Sequence, residues 1–254
     1  MHGLVALVTL VALACTRPLE KPSPTRASLP SSSDAHAAVA EPSLRVEAAG
    51  ESFLFHSWSF DSAATSFGIV DLAMHGSLTE ALGAGGRVAI NAGFFDTLGK
   101  PIGFAVSDGT VLSKYSGTMS GGVFYTAGGV AHLAASEEFD PETKVTFAMQ
   151  CRPRLVVRGQ ANVRSDDGQR AERTALCIRD AGRTVDVIVA EPVSGTRGPS
   201  LFALGRFLAE QHHCEDALNL DGGPSTGAAY REGDASTPRV LPPRGPLRYA
   251  IVLR

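Results

Sequence analysis

Arg87-Val88-Ala89-Ile90-Asn91-Ala92-Gly93-Phe94-Phe95-Asp96 is a short apolar run that ends in an amide, a glycine, two aromatic rings and a carboxylate. The run Val88 to Ile90 reads as a buried strand, and Asn91 offers both a donor and an acceptor at its end. Gly93 permits a close backbone approach or a positive φ, and Phe94 and Phe95 offer an apolar wall of the kind sugar rings pack on. Asp96 adds a carboxylate. The bland alternative is a strand followed by a tight turn, with both phenylalanines in the core.

The same pattern recurs at Ala217-Leu218-Asn219-Leu220-Asp221-Gly222-Gly223-Pro224-Ser225-Thr226-Gly227. A strand again ends in polar residues, Asn219 and Asp221, and Gly222 and Gly223 turn the chain. Ser225 and Thr226 then present hydroxyls and N–H groups. Such a loop can hold a catalytic carboxylate or a phosphate. Asp-Gly alone is an ordinary hairpin signal, but it does not explain the Gly-Pro-Ser-Thr that follows.

Around these segments most signals are for strands. Ser52 to Trp58 alternates apolar and polar residues; Leu155 to Val157, Thr174 to Ile178, Val185 to Val189 and Tyr249 to Leu253 are apolar runs bounded by breaks. One helix is predicted over Ser200 to His213, with Leu201, Leu204 and Leu208 on one stripe and Phe207 beside it. Ser200 would cap its start, and His212 and His213 would complement its C-terminal dipole. A second, short helix is predicted over Ser77 to Leu82. The expected fold is α+β: a single domain with a large mixed or mostly antiparallel sheet flanked by a few helices.

Between the two loops lies an arginine-rich stretch containing Arg152, Arg154, Arg170 and Arg173. Arginine is suited to forked recognition of phosphate oxygens, and Arg173, just before a strand, is the best placed. Arg154 is a second candidate. The chain has no Walker loop, no Gly-x-Ser-x-Gly elbow and no His-Glu-x-x-His helix, which argues against nucleotide hydrolysis, esterase chemistry and the common zinc proteases. A net charge of −3 with scattered basic residues gives no footprint for nucleic acid.

Residues 3–14 form an apolar run too short to span a bilayer comfortably, ending at Ala14-Cys15. This reads as a signal peptide over residues 1–15 of the lipoprotein type, with lipidation at Cys15 as the only membrane contact and plain secretion as the rival. Residues 16–43 are rich in Pro, Ser and Ala and read as a tether, leaving 44–254 as the domain. The protein is thus expected to be exported, in the envelope or secreted. Beyond Cys15 there remain Cys151, Cys177 and Cys214, enough for one disulfide and one thiol, at spacings that match no zinc site.

In order along the chain, Asn91-Ala92-Gly93-Phe94-Phe95, Pro153-Arg154-Leu155-Val156 with Gly159, Arg173-Thr174-Ala175, and Asn219-Leu220-Asp221-Gly222-Gly223 with Ser225 resemble the phosphodiester glycosidase family. Pro224 departs from it, standing where the family often has a third glycine. The resemblance implies hydrolysis of a sugar 1-phosphodiester, on a small or polymeric phosphoglycan, without a cofactor. In that chemistry a carboxylate must meet the positive charge developing at the anomeric carbon, and arginine must hold the diester anion. Asp221 is expected to serve the anomeric carbon and Arg173 the phosphate. Asn91 and Ser225 are expected to orient substrate, and Asp96 to be the second carboxylate. Two other readings are a surface module that binds anionic glycans without turnover, and a calcium loop using Asp221, Asn219 and backbone carbonyls.

Overall fold

The computed structural model describes residues 43–233 and 237–254, all within one compact unit. The expected signal peptide, the Cys15 anchor and all but the last residue of the expected tether lie outside the described residues.

Three antiparallel sheets form the domain. The largest has seven strands in the order Leu44–Ala48, Glu51–Asp61, Thr184–Pro192, Arg173–Arg179, Asp216–Asn219, Arg154–Val157, Gln160–Ala161. A second runs Arg239–Leu241, Ala228–Tyr230, Val88–Asn91, Tyr249–Leu253, Phe67–Asp71. The third runs Thr110–Ser113, Ala105–Ser107, Phe147–Cys151, Gly122–Ala127, Val130–Ala135.

The apolar runs follow from burial on both faces. In strand Arg173–Arg179, Leu176 and Ile178 join the central core, whereas Ala175 and Cys177 face the other way. Helix Leu201–Glu210 covers that second face with Leu204, Phe207 and Leu208. The central core unites all three sheets: Trp58 and Val187 from the first, Ile90 and Ile251 from the second, Phe124 and Phe147 from the third. In the second sheet Ala89, Ala250 and Val252 turn outward onto helix Leu78–Leu82. Each fully buried large side chain contributes roughly 1.5–3 kcal/mol, so these layers hold the sheets in one arrangement.

Both expected helices are present and capped as the sequence implies. Ser200 Oγ accepts from Ala203 N at 3.0 Å, and Ser77 Oγ accepts from Glu80 N at 3.2 Å. The role assigned to the histidine pair is corrected. The helix ends at Glu210, and His212 Nε2 lies 2.8 Å from Oδ2 of buried Asp186. Burial pushes the Asp186 carboxyl up, but hydrogen bonds from His212, Arg179 and Ser59 outweigh it and bring its pKa to about 2. The histidine completes a buried polar cluster and does not serve the helix end.

The third sheet was not foreseen. Its clearest sequence mark is Gly128-Gly129, a two-residue hairpin turn with both φ positive that joins Gly122–Ala127 to Val130–Ala135. Of the three cysteines, Cys177 and Cys214 form a disulfide and Cys151 is a buried thiol.

Candidate active site

A cleft of about 690 Å³ opens where the large sheet meets the third sheet. The loops after strands Val88–Asn91 and Asp216–Asn219 supply Phe94, Asn219, Asp221, Gly222 and Gly223 to its wall. The segment before strand Arg173–Arg179 supplies Ala171 and Arg173, and the start of strand Arg154–Val157 supplies Arg154 with Arg152 and Pro153 beside it. Third-sheet connections add Ser120, Gly121 and Glu137.

Asp221 is half-buried. Burial raises its carboxyl pKa above the ordinary value, while the Ser225 hydroxyl and the Gly222 N–H (2.9 Å from Oδ1) oppose that rise. Ser225 thus touches the carboxylate directly, from a short 3-10 turn, Gly223–Ser225. That turn is stitched to the neighbouring strand by Gly223 N donating to Glu172 O at 2.8 Å.

Three guanidinium groups share the cleft. Arg173 is half-buried; its Nε donates to Pro199 O and its Nη2 to Gln169 O, both at 3.2 Å. Burial lowers its pKa, but an arginine stays charged. Among the described residues the side chains of Arg152 and Arg154 make no hydrogen bond or ion pair, so both are available to a ligand. Arg170 is engaged elsewhere, with Asp166 and Glu51.

Asn219 is 5% exposed and its Nδ2 donates to Arg152 O at 2.9 Å and Leu220 O at 2.6 Å. Among the described residues its Oδ1 has no partner, although it is buried in the cleft wall. A buried acceptor left unpaired costs about 1–3 kcal/mol, so this atom marks where a ligand donor belongs.

Six expected site residues, Asn91, Gly93, Phe95, Asp96, Ser225 and Thr226, do not line the cleft. Asn91 is 1% exposed and does not line the cleft. Its Nδ2 donates to Asp221 O at 2.8 Å, and its Oδ1 accepts from Thr174 Oγ1 at 2.6 Å and Gly227 N at 3.3 Å. All of its polar capacity holds protein, so it positions the Asp221 loop instead of touching substrate. Asp96 also lies outside the cleft lining; its Oδ1 accepts the N–H groups of Leu98 and Lys100, each at 2.8 Å, and so shapes a turn. Gly93 packs against the core: an added Cβ would lie 2.7 Å from Met149 Sδ and 2.9 Å from Cys151 Sγ. Thr226 is buried beside Thr174, away from the cleft wall. Of the two phenylalanines only Phe94 lines the cleft, while Phe95 bridges to Pro101.

The residue missed in the sequence is Glu137. It is exposed, in the 3-10 turn Ser136–Glu138, and is the other carboxylate lining this cleft. Nothing local in the sequence marks it, because only the packing of the third sheet brings it here. Beneath the cleft, burial pushes the Cys151 thiol up to about 12, a rise opposed by its Phe94 backbone hydrogen bond and aided by the Asp221 charge. It is therefore no nucleophile at neutral pH.

A family model for phosphodiester glycosidase matches residues 84–252, which take in every one of these groups. The chain belongs to the phosphodiester glycosidase family. It is accordingly a hydrolase of the glycosidase class. Among solved structures, it resembles the catalytic domain of zebrafish N-acetylglucosamine-1-phosphodiester alpha-N-acetylglucosaminidase, auto-inhibited by its pro-peptide. That match has a TM-score of 0.66 and 19% identity, over 87% of this chain and 85% of that one. A hypothetical protein from Synechocystis matches with a TM-score of 0.60 and 15% identity, over 83% of this chain and 61% of that one. A putative exported protein of Burkholderia pseudomallei matches with a TM-score of 0.55 and 10% identity, over 80% and 74%. At these identities the likeness is one of fold. A search of curated proteins finds no match.

Proposed function

We propose that this phosphodiester glycosidase is exported and cleaves a sugar 1-phosphodiester of envelope or extracellular glycans to the free sugar and a phosphomonoester. One observation carries the reading: a half-buried carboxylate, Asp221, shares a cleft with Arg152, Arg154 and Arg173. Anionic diester and cationic transition state need opposite charges side by side, and this cleft supplies both.

Arg173, with Arg152 and Arg154, holds the diester oxygens. The C1–O bond breaks and its electron pair leaves with the phosphomonoester, which is a good leaving group and needs little protonation. Asp221 meets the positive charge at C1, and Ser225 and Gly222 fix its carboxylate. Water adds its oxygen to C1 and releases its proton to Glu137, the second carboxylate of the cleft. The unpaired Asn219 Oδ1 accepts a hydroxyl or amide N–H of the sugar, whose ring packs on Phe94.

Export is supported by the apolar run ending at Ala14-Cys15, and by the Cys177–Cys214 disulfide, which suits an oxidising compartment. Cys15 would then be the lipidated anchor.

The test is release of free sugar and phosphomonoester from a sugar 1-phosphodiester. Asp221→Asn and Arg173→Ala should each lose about 10²-fold or more in kcat while keeping the native circular dichroism spectrum. Near-normal turnover in both variants would sink the assignment. A wild-type protein that binds the diester but leaves it intact after long incubation would be a binding module instead.

A further inference from the structure

A second cleft of about 570 Å³ adjoins the first, and both share Ala171 and Gly223 in their walls. It is lined by Arg170, Glu172, Pro192, Thr196, Arg197, Pro224 and Arg244, besides those two shared residues. Three arginines therefore face one carboxylate. Together the two clefts gather six of the 23 basic residues of a chain whose net charge is −3. Such a concentration is not a property of the surface at large.

The segment 170–173 builds both sites. Arg173 serves the first cleft, Arg170 and Glu172 the second, and Ala171, with its small side chain, stands between them. Gly223, whose N–H donates to Glu172 O at 2.8 Å, closes against this segment and, lacking a side chain, keeps the ridge between the two clefts low. Pro224 holds the far wall: its carbonyl accepts from Arg244 N at 2.9 Å and Gly245 N at 2.8 Å. Two of the arginines are paired now, Arg244 with Glu172 and Arg170 with Asp166 and Glu51. Arg244 is largely exposed although its partner Glu172 is buried, so its remaining guanidinium N–H groups are open to an arriving anion. Arg197 is exposed and makes no ion pair among the described residues.

From this we infer that the substrate is a polymer with repeated phosphodiesters, whose next phosphate downstream of the scissile bond is held in the second cleft by Arg197 and Arg244. The inference rests on the reading of the Asp221 cleft as the hydrolytic centre. The part of the substrate beyond the scissile phosphate leaves Arg173, crosses over the low ridge of Ala171 and Gly223, and presents its following phosphate to the second group of arginines. A substrate with a single phosphate uses the first cleft alone.

The test uses the full chain carrying Asp221→Asn, titrated with synthetic hexose 1-phosphate oligomers bearing one or three phosphodiesters. The longer oligomer should bind about tenfold more tightly, as one added arginine–phosphate contact implies, and the gain should shrink with salt. Adding Arg197→Glu should abolish most of that gain, and the milder Arg197→Gln should reduce it. Arg197 is exposed, so neither change threatens the fold. Equal affinities for the two oligomers, or an undiminished gain in Arg197→Glu, would overturn the inference. Wild-type protein that turns over neither oligomer would defeat the hydrolytic reading separately, because the binding comparison does not depend on turnover.

Discussion

Replacing Asn91 by alanine is the sharpest probe of how the site is held. The amide donates to Asp221 O at 2.8 Å and accepts from Thr174 Oγ1 at 2.6 Å and Gly227 N at 3.3 Å. After truncation Thr174 still has Thr226 Oγ1, 3.5 Å away, so its hydroxyl is not stranded. The Asp221 carbonyl and the Gly227 N–H lose their amide partner with no replacement in view. Each stranded buried group costs about 1–3 kcal/mol, so the expected loss is about 4 kcal/mol. For a domain of this size that corresponds to a fall of roughly 8–16 °C in Tm. Urea unfolding followed by tryptophan fluorescence measures the first quantity directly, since Trp58 is the single tryptophan and lies in the central core. Turnover should fall through kcat, because the Asp221 loop is no longer held, with KM much less affected. A variant of unchanged stability that has nonetheless lost activity would refute this and return Asn91 to the role of substrate contact.

Burial raises the Asp221 carboxyl, and the proposed role needs it ionised, so the acid limb of kcat/KM should lie above the ordinary carboxylate range. Ser225→Ala removes a hydrogen bond that lowers this pKa and should move the limb to still higher pH; a limb that stays or moves down would contradict the assignment. The linkage has the opposite sign for stability. Because the folded pKa is raised, the ionised form destabilises the fold above it, and Asp221→Asn should raise Tm at neutral pH. Reducing the Cys177–Cys214 disulfide, which spans 37 residues, should lower stability by about 3–4 kcal/mol in urea unfolding with and without dithiothreitol.

The strands that could be read from the sequence are those buried on both faces. Within Arg173–Arg179 the run Ala175 to Ile178, like Tyr249–Leu253, is apolar at every position because one face meets the central core and the other a helix. The third sheet hid for the opposite reason. Ala105–Ser107 has three residues, too few for a period, and Val130–Ala135 is half alanine. Within the site, Asp221, Arg173 and Phe94 were legible as polar or aromatic residues at strand ends. Asn91 fits the same description, yet it lies buried behind the cleft wall. What distinguishes it is a loop 130 residues away, which takes up its donor. Glu137 was illegible because its place in the cleft depends wholly on the unforeseen sheet.

Strand Tyr249–Leu253 sits in the interior of the second sheet, between Val88–Asn91 and Phe67–Asp71. Ala250 is the register partner of Asn91, and Ala92 N donates to Tyr249 O at 2.9 Å. The amide that steadies the Asp221 loop thus leans on a segment synthesised some 150 residues after it. While the chain is still emerging, Val88–Asn91 has one flank open and the loop has no firm support. The Asp221 loop therefore gains its full support only once residues 249–253 are paired in place.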